Sequence, residues 1–102
     1  MNKTFLITGA STGLGEKFSI LIADIAKNII IVGRNKKRLL SLKNKINKIN
    51  TDVNVLDIST DLSIDSGVDK LLKKFEKQKK IKFVDVLVNS AANFTVKKIE
   101  NV

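Results

Sequence analysis

The strongest constraint on how this chain can fold lies near its start, in Thr8-Gly9-Ala10-Ser11-Thr12-Gly13-Leu14-Gly15. A short apolar run, Phe5-Leu6-Ile7, leads into it, and an amphipathic segment beginning near Leu14 leads out. A strand that breaks into a glycine-rich turn and then a helix brings backbone N–H groups and a helix N-terminus to one point. That point attracts a phosphate group, because unpaired amides and the positive end of the helix dipole both face it. The three glycines permit the geometry, either by adopting positive φ or by admitting a ligand against bare backbone. The segment therefore predicts a strand, a turn and a helix arranged around the phosphate of a nucleotide.

The rest of the chain repeats that alternation. Four β-rich runs are expected at residues 4–8, 29–32, 53–58 and 84–89, with three helical patterns between them. Unbroken apolar stretches such as Ile29-Ile30-Ile31-Val32 suit strands covered on both faces, as in parallel sheets. Leu14, Phe18, Leu21, Ile22 and Ile25 recur at helical spacing in the first interval, and Leu39, Leu42, Ile46 and Ile49 in the second. The third helix carries Val68, Leu71, Leu72 and Phe75, with Ser63 as its expected N-cap and Asp65 in its first turn. Strand–helix alternation implies right-handed crossovers and an α/β, doubly wound parallel sheet of Rossmann type. No repeat or proline-rich linker interrupts it, so residues 1–102 are read as one dinucleotide-binding half-domain, ending after the fourth strand. That ending leaves a hydrophobic strand edge, with Phe94-Thr95-Val96 and Ile99 short of cover.

Composition narrows the function classes. Cysteine and histidine are both absent, which removes disulfides, thiolate metal sites and the commonest general base. The apolar run before Gly9 is too short for a signal peptide, and nothing approaches the roughly 18 apolar residues of a membrane span. A cytoplasmic protein without membrane partners is the expectation. The net charge of +9 raises nucleic-acid binding, since clustered lysines neutralise phosphates. Its lysines, however, fall mainly at residues 36–48 and 70–82, spread over the polar faces of two expected helices. Of the five Phe residues only Phe75 falls within these segments, and it belongs to the apolar pattern of the third helix, so there is no row of aromatics of the kind a base-stacking platform requires. A solvated helical face is the better reading.

Three further motifs follow the strands. After the second stands Val32-Gly33-Arg34-Asn35. Dinucleotide folds that prefer NAD place a carboxylate here for the ribose 2′-OH, whereas an arginine pairs with a 2′-phosphate. Gly33-Arg34 therefore favours NADP over NAD, with Lys37 and Arg38 as helpers or as ordinary helix surface. Asp61-Leu62 follows the third strand, and Asn89-Ser90-Ala91-Ala92 closes the fourth.

With its TGxxxGxG spacing and these motifs in order, the chain resembles the short-chain dehydrogenase/reductase family. The resemblance implies that Ser11, Thr12 and the Leu14 amide line the pyrophosphate and adenosine side of the cofactor. It implies that Gly9, Gly13 and Gly15 shape the turn, Gly15 letting the helix pack closely. Asp61 would accept from the adenine amine, Leu62 would cover the ring, Asn89 would tie the central strand and Ala91 would approach the ribose. Two departures stand in the last motif: Ser90 replaces the second Asn, and Ala92 replaces Gly.

The resemblance covers only the family's first half. The catalytic Ser and the Tyr-xxx-Lys lie later in that pattern, and this sequence contains no tyrosine. The tyrosine protonates the carbonyl oxygen during hydride transfer. Asn89 is structural or auxiliary at most, so no catalytic residue and no metal ligand is assigned. The expected role is the cofactor-binding part of an NAD(P)-dependent oxidoreductase, not catalytic alone. Its partners would be the dinucleotide and either a complementary C-terminal half or a second copy on the exposed sheet edge. The competing reading is a non-catalytic nucleotide-binding pseudoenzyme or a degraded gene product.

Overall fold

The strands form where the sequence is continuously apolar, and the helices where apolar residues recur at intervals of three and four. The computed structural model describes residues 3–90 and the backbone of residues 95–98. In chain order it contains β1 (Thr4–Thr8), α1 (Gly13–Leu21), β2 (Asn28–Gly33), α2 (Lys36–Ile49) and β3 (Asn54–Ser59). α3 (Asp65–Lys77), β4 (Val86–Asn89) and β5 (Thr95–Lys98) complete the order. The sheet runs β3-β2-β1-β4-β5. The first four strands are mutually parallel, with Ile7 of β1 opposite both Ile31 of β2 and Val88 of β4. This is the expected doubly wound Rossmann-type sheet.

Both sheet faces are covered, which is why β2 can be apolar throughout. On one face Phe5, Ile7, Ile29 and Ile31 pack against Leu39, Leu42 and Ile46 of α2 and against Ile22, Ala23 and Ala26 after α1. On the other, Ile30, Val32 and Ile58 meet Leu71 and Phe75 of α3 together with Ile81. Polar pins close the lower end of the sheet. The Thr4 N–H donates to the Asp85 carboxylate at 2.8 Å, and the buried Asn28 amide donates to the Thr4 hydroxyl at 2.8 Å.

Three expectations need correction. The sheet does not stop at β4: β5 pairs antiparallel with it, Asn89 opposite Thr95 and Val86 opposite Lys98, so the β4 edge is covered. An antiparallel return needs only a short connection, whereas a parallel fifth strand needs a full crossover. Second, Leu14, Leu21 and Ile25 are exposed, and α1 turns Gly15 and Ser19 to the sheet instead. Small residues win that face because the helix must come down onto the glycine turn, and the Ser19 hydroxyl is satisfied by the Gly15 carbonyl at 2.7 Å. Third, Ser63 is not the N-cap of α3. Ile64 occupies that position without a side-chain bond, and the Ser63 hydroxyl turns back to Asp61.

Candidate functional site

The strand order reverses beside β1, with β2 and β3 to one side and β4 to the other. In open α/β sheets, ligands bind in the crevice beyond the carboxyl ends of the strands at such a reversal. A cleft of about 640 Å³ opens there, floored by Leu6 and Leu87 and walled by Val68 and Leu71 of α3. Its rim carries Gly9, Ser11 and Thr12 from the first turn, Gly33 and Arg34 after β2, Asp61 and Leu62 after β3, and Asn89 at the end of β4. Seven of the expected site residues are thus brought to one cleft by four separate strand ends.

The glycine turn is built so that its carbonyls face inward. Gly9 has φ 66°, a left-handed conformation that a side chain would strain. The Gly9 carbonyl accepts from the Thr12 N–H at 3.3 Å and from the Thr12 hydroxyl at 3.0 Å. Thr12 therefore lines the cleft with its hydroxyl already committed to the turn. The Thr8 carbonyl accepts from the Ser90 N–H at 3.2 Å and the Ser90 hydroxyl at 2.7 Å. A Cβ at Gly15 would overlap the Gly9 carbonyl oxygen and lie 2.6 Å from the Ser90 hydroxyl, so only glycine allows α1 this close. Around Gly13 nothing lies within 4 Å of where a Cβ would be, which leaves space for a ligand against the backbone.

With the carbonyls tied back, the outward groups are amides. The Glu16 N–H is satisfied by Thr12 at 3.0 Å. Those of Gly13, Leu14 and Gly15 stand in the first turn of α1, where no preceding turn supplies acceptors. These three residues sit just outside the cleft lining, and the Leu14 side chain points to solvent.

At the end of β2, Gly33 leaves room for Ser11: a Cβ there would lie 2.6 Å from the Ser11 hydroxyl and 3.1 Å from its Cβ. Ser11 is consequently buried while still reaching the cleft. Arg34 is exposed on the rim, and among the described residues no carboxylate lies within ion-pair distance of its guanidinium. Asn35 caps α2, accepting the Arg38 N–H at 3.1 Å.

Asp61 holds its own turn as well as lining the cleft. One carboxylate oxygen accepts from the Ser63 hydroxyl at 2.7 Å and the Ser63 N–H at 2.9 Å. These bonds, the hydroxyl first, keep the carboxyl below its ordinary value, and the charge of Arg34 adds to the effect. At the end of β4, the Asn89 side chain accepts from the Thr8 hydroxyl at 2.9 Å, tying β1 to β4 at the mouth of the cleft. Ala91, and with it Ala92, lies outside the described residues.

Two residues escaped the sequence reading. Gly67, in the first turn of α3, packs against the backbone after β3, and a Cβ there would overlap the Asp61 carbonyl oxygen. Its own carbonyl accepts from the buried Thr60 hydroxyl at 2.9 Å. The signal available was a glycine inside an otherwise helical pattern, which marks a close approach. The other is Ser90. Its hydroxyl, noted only as a departure, does the joining of β4 to the glycine turn.

A parallel sheet with a glycine turn at its reversal and a cleft over four strand ends defines a Rossmann-type domain. Within that class, the chain belongs to the short chain dehydrogenase family, whose profile matches residues 3–102. It is 32% identical over 97 residues to an uncharacterized oxidoreductase of Staphylococcus epidermidis, covering 95% of this chain and 39% of that protein. It is also similar to the L-sorbose reductase of Gluconobacter frateurii, solved with NADPH and L-sorbose. There the TM-score is 0.79 at 26% identity, over 99% of this chain and 37% of the other. An alcohol dehydrogenase from Thermococcus sibiricus, solved with 5-hydroxy-NADP, superposes with a TM-score of 0.71 at 27% identity, over 86% and 36%. The chain thus spans about two fifths of the length of these relatives. No helix among the described residues is long and apolar enough to cross a membrane.

Proposed function

We propose that this chain is the NADP-binding part of a short-chain oxidoreductase that interconverts a carbonyl and an alcohol. Bound in the cleft, NADP(H) supplies the hydride acceptor or donor for that reaction. The amides of Gly13, Leu14 and Gly15, at the positive end of α1, receive the pyrophosphate. Ser11 and Thr12 hold the turn that presents them, and Gly9 gives it its left-handed bend. Arg34 pairs with the ribose 2′-phosphate. The Asp61 oxygen not used by Ser63 accepts from the adenine amine, and Leu62 covers the ring. Asn89 keeps the β1 and β4 ends together, and Ala91 meets the ribose.

One observation carries the reading: at the end of β2 the cleft offers the Arg34 guanidinium, which pairs with no carboxylate among the described residues, where an NAD site needs a carboxylate. Carboxylates repel a 2′-phosphate, and the Arg fork matches it. The NADPH and 5-hydroxy-NADP complexes of the similar structures support it. The sequence has no tyrosine, so the acid that the family resemblance requires must come from polypeptide beyond these residues, as must the substrate pocket. That polypeptide, and a cytoplasmic setting suited to a soluble nucleotide, belong to the same proposal. Since β5 occupies the β4 edge, a complementary half must displace β5 or pair with its outer side.

Calorimetric titration of NADPH and NADH against wild type and Arg34→Ala tests it. Removing a charge-assisted pair should weaken NADPH by about ten-fold or more while leaving NADH within about two-fold. Equal losses, or no binding of either nucleotide to the wild type, remove the reading.

A further inference from the structure

Resting on that nucleotide reading, we propose that Arg38 is a positioning residue, clamping the peptide between Ser11 and Thr12 so that the turn keeps the shape in which the first amides of α1 meet phosphate. The Arg38 Nη1 donates to the Ser11 carbonyl at 3.3 Å, across 27 residues of sequence. A trans peptide points its C=O and N–H in opposite directions. Fixing the Ser11 carbonyl on Arg38 therefore directs the Thr12 N–H the other way, onto the Gly9 carbonyl at 3.3 Å. The same peptide immediately precedes α1, whose first amides form the anion-facing group.

Both ends of the clamp are anchored. Ser11 is buried, its hydroxyl seated in the space that Gly33 leaves open. Arg38 is held from its own backbone: its N–H donates to the Asn35 side chain at 3.1 Å, and the Leu39 N–H donates to the Asn35 carbonyl at 3.1 Å. The first turn of α2 has no acidic residue, yet it carries Lys36, Lys37 and Arg38. Cations at the positive end of a helix are disfavoured unless something electronegative meets them. For Arg38 the Ser11 carbonyl is that partner. If the clamp is lost, the peptide can flip, which breaks the Thr12 N–H bond to the Gly9 carbonyl and sets two carbonyl dipoles against each other. The turn that seats the first amides of α1 then loses the shape every dinucleotide's pyrophosphate needs.

Arg38→Ala and Arg38→Lys separate this role from simple attraction of phosphate. Lysine keeps the charge but ends short of the guanidinium nitrogens and lacks their fork. Both variants should weaken NADPH and NADH by the same factor, about five-fold for the loss of a partly exposed charge-assisted bond. In the free protein, amide exchange at Thr12 and Glu16, both bonded within the turn, should quicken several-fold in Arg38→Ala, with Ile31 of β2 unchanged. An NADPH-specific loss restored by lysine overturns the proposal, and so does unchanged binding. If the wild type binds neither nucleotide, the cofactor reading fails by itself. The exchange measurement then still decides the clamp, unchanged rates at Thr12 and Glu16 overturning it and faster rates supporting it.

Discussion

Replacing Gly15 by alanine is the sharpest test of how α1 is seated. The added methyl overlaps the Gly9 carbonyl oxygen, lies 2.9 Å from the Gly9 carbonyl carbon and 2.6 Å from the Ser90 hydroxyl. Two of the three neighbours are backbone, so no side-chain rotation relieves the contact, and α1 must lift from the turn. Overpacking of this kind costs about 1–3 kcal/mol, and the immovable neighbours put it at the upper end. Better helix propensity returns about 1 kcal/mol. The net loss is about 2 kcal/mol, which for a chain of this size lowers Tm by roughly 8–16 °C. Urea unfolding followed by far-UV circular dichroism measures it directly. Gly13→Ala is the internal control, since nothing lies within 4 Å of its added methyl and its φ is not in the left-handed region. Gly13→Ala should match or exceed wild-type stability while weakening nucleotide binding, because the methyl fills the space proposed for the ligand. A Gly15→Ala protein as stable as Gly13→Ala would refute the seating described here.

Ser63→Ala should raise the Asp61 titration midpoint, followed by carboxyl NMR, toward the ordinary carboxylate value. Because the folded carboxyl is depressed, its stabilisation of the turn is present above the unfolded value and is lost as pH falls through the folded one. A midpoint unmoved by Ser63→Ala contradicts the assigned cause. Asn28→Ala leaves the buried Thr4 hydroxyl without its donor and should cost about 1–2 kcal/mol in urea unfolding; no change would mean that the bond is not formed in solution. Lys45→Ala breaks the half-exposed pair with Glu16 and should change stability by less than about 1 kcal/mol, a larger loss pointing to a role beyond the ion pair.

What could be read from the sequence followed the strength of each local signal. Ile29-Ile30-Ile31-Val32 announced a central strand because only burial on both faces tolerates four consecutive apolar residues. The cleft rim was legible at Gly9, Arg34, Asp61 and Asn89, since each stands at or just after a strand end, where this sheet topology places ligands. The buried side of α1 was legible only in part, at Phe18, Ile22 and, through the family resemblance, Gly15. Gly15 and Ser19 carry no hydrophobic signal, and the leucines that do carry one point to solvent because close approach to the Gly9 carbonyl fixes the helix rotation. Ser63 looked like an N-cap by residue type, but its hydroxyl turns back to donate to the Asp61 carboxylate and the cap position falls one residue later, on Ile64. The antiparallel β5 was hidden because Thr95-Val96-Lys97-Lys98 has neither an apolar run nor strict alternation. Arg38 was legible as a cation but not as a partner of Ser11, a contact set by tertiary structure alone.

On the function proposed above, a dinucleotide with a 2′-phosphate occupies the cleft at the strand reversal. Amide chemical-shift mapping of the whole chain during NADPH titration tests it most directly. Shifts should concentrate at Gly9, Ser11 to Gly15, Gly33, Arg34, Asp61, Leu62 and Asn89, with the Arg34 response absent when NADH replaces NADPH. The outer face of α3, at Lys70, Lys73 and Lys77, should stay still. Shifts confined to the α3 lysines, or an identical Arg34 response to both nucleotides, would contradict it.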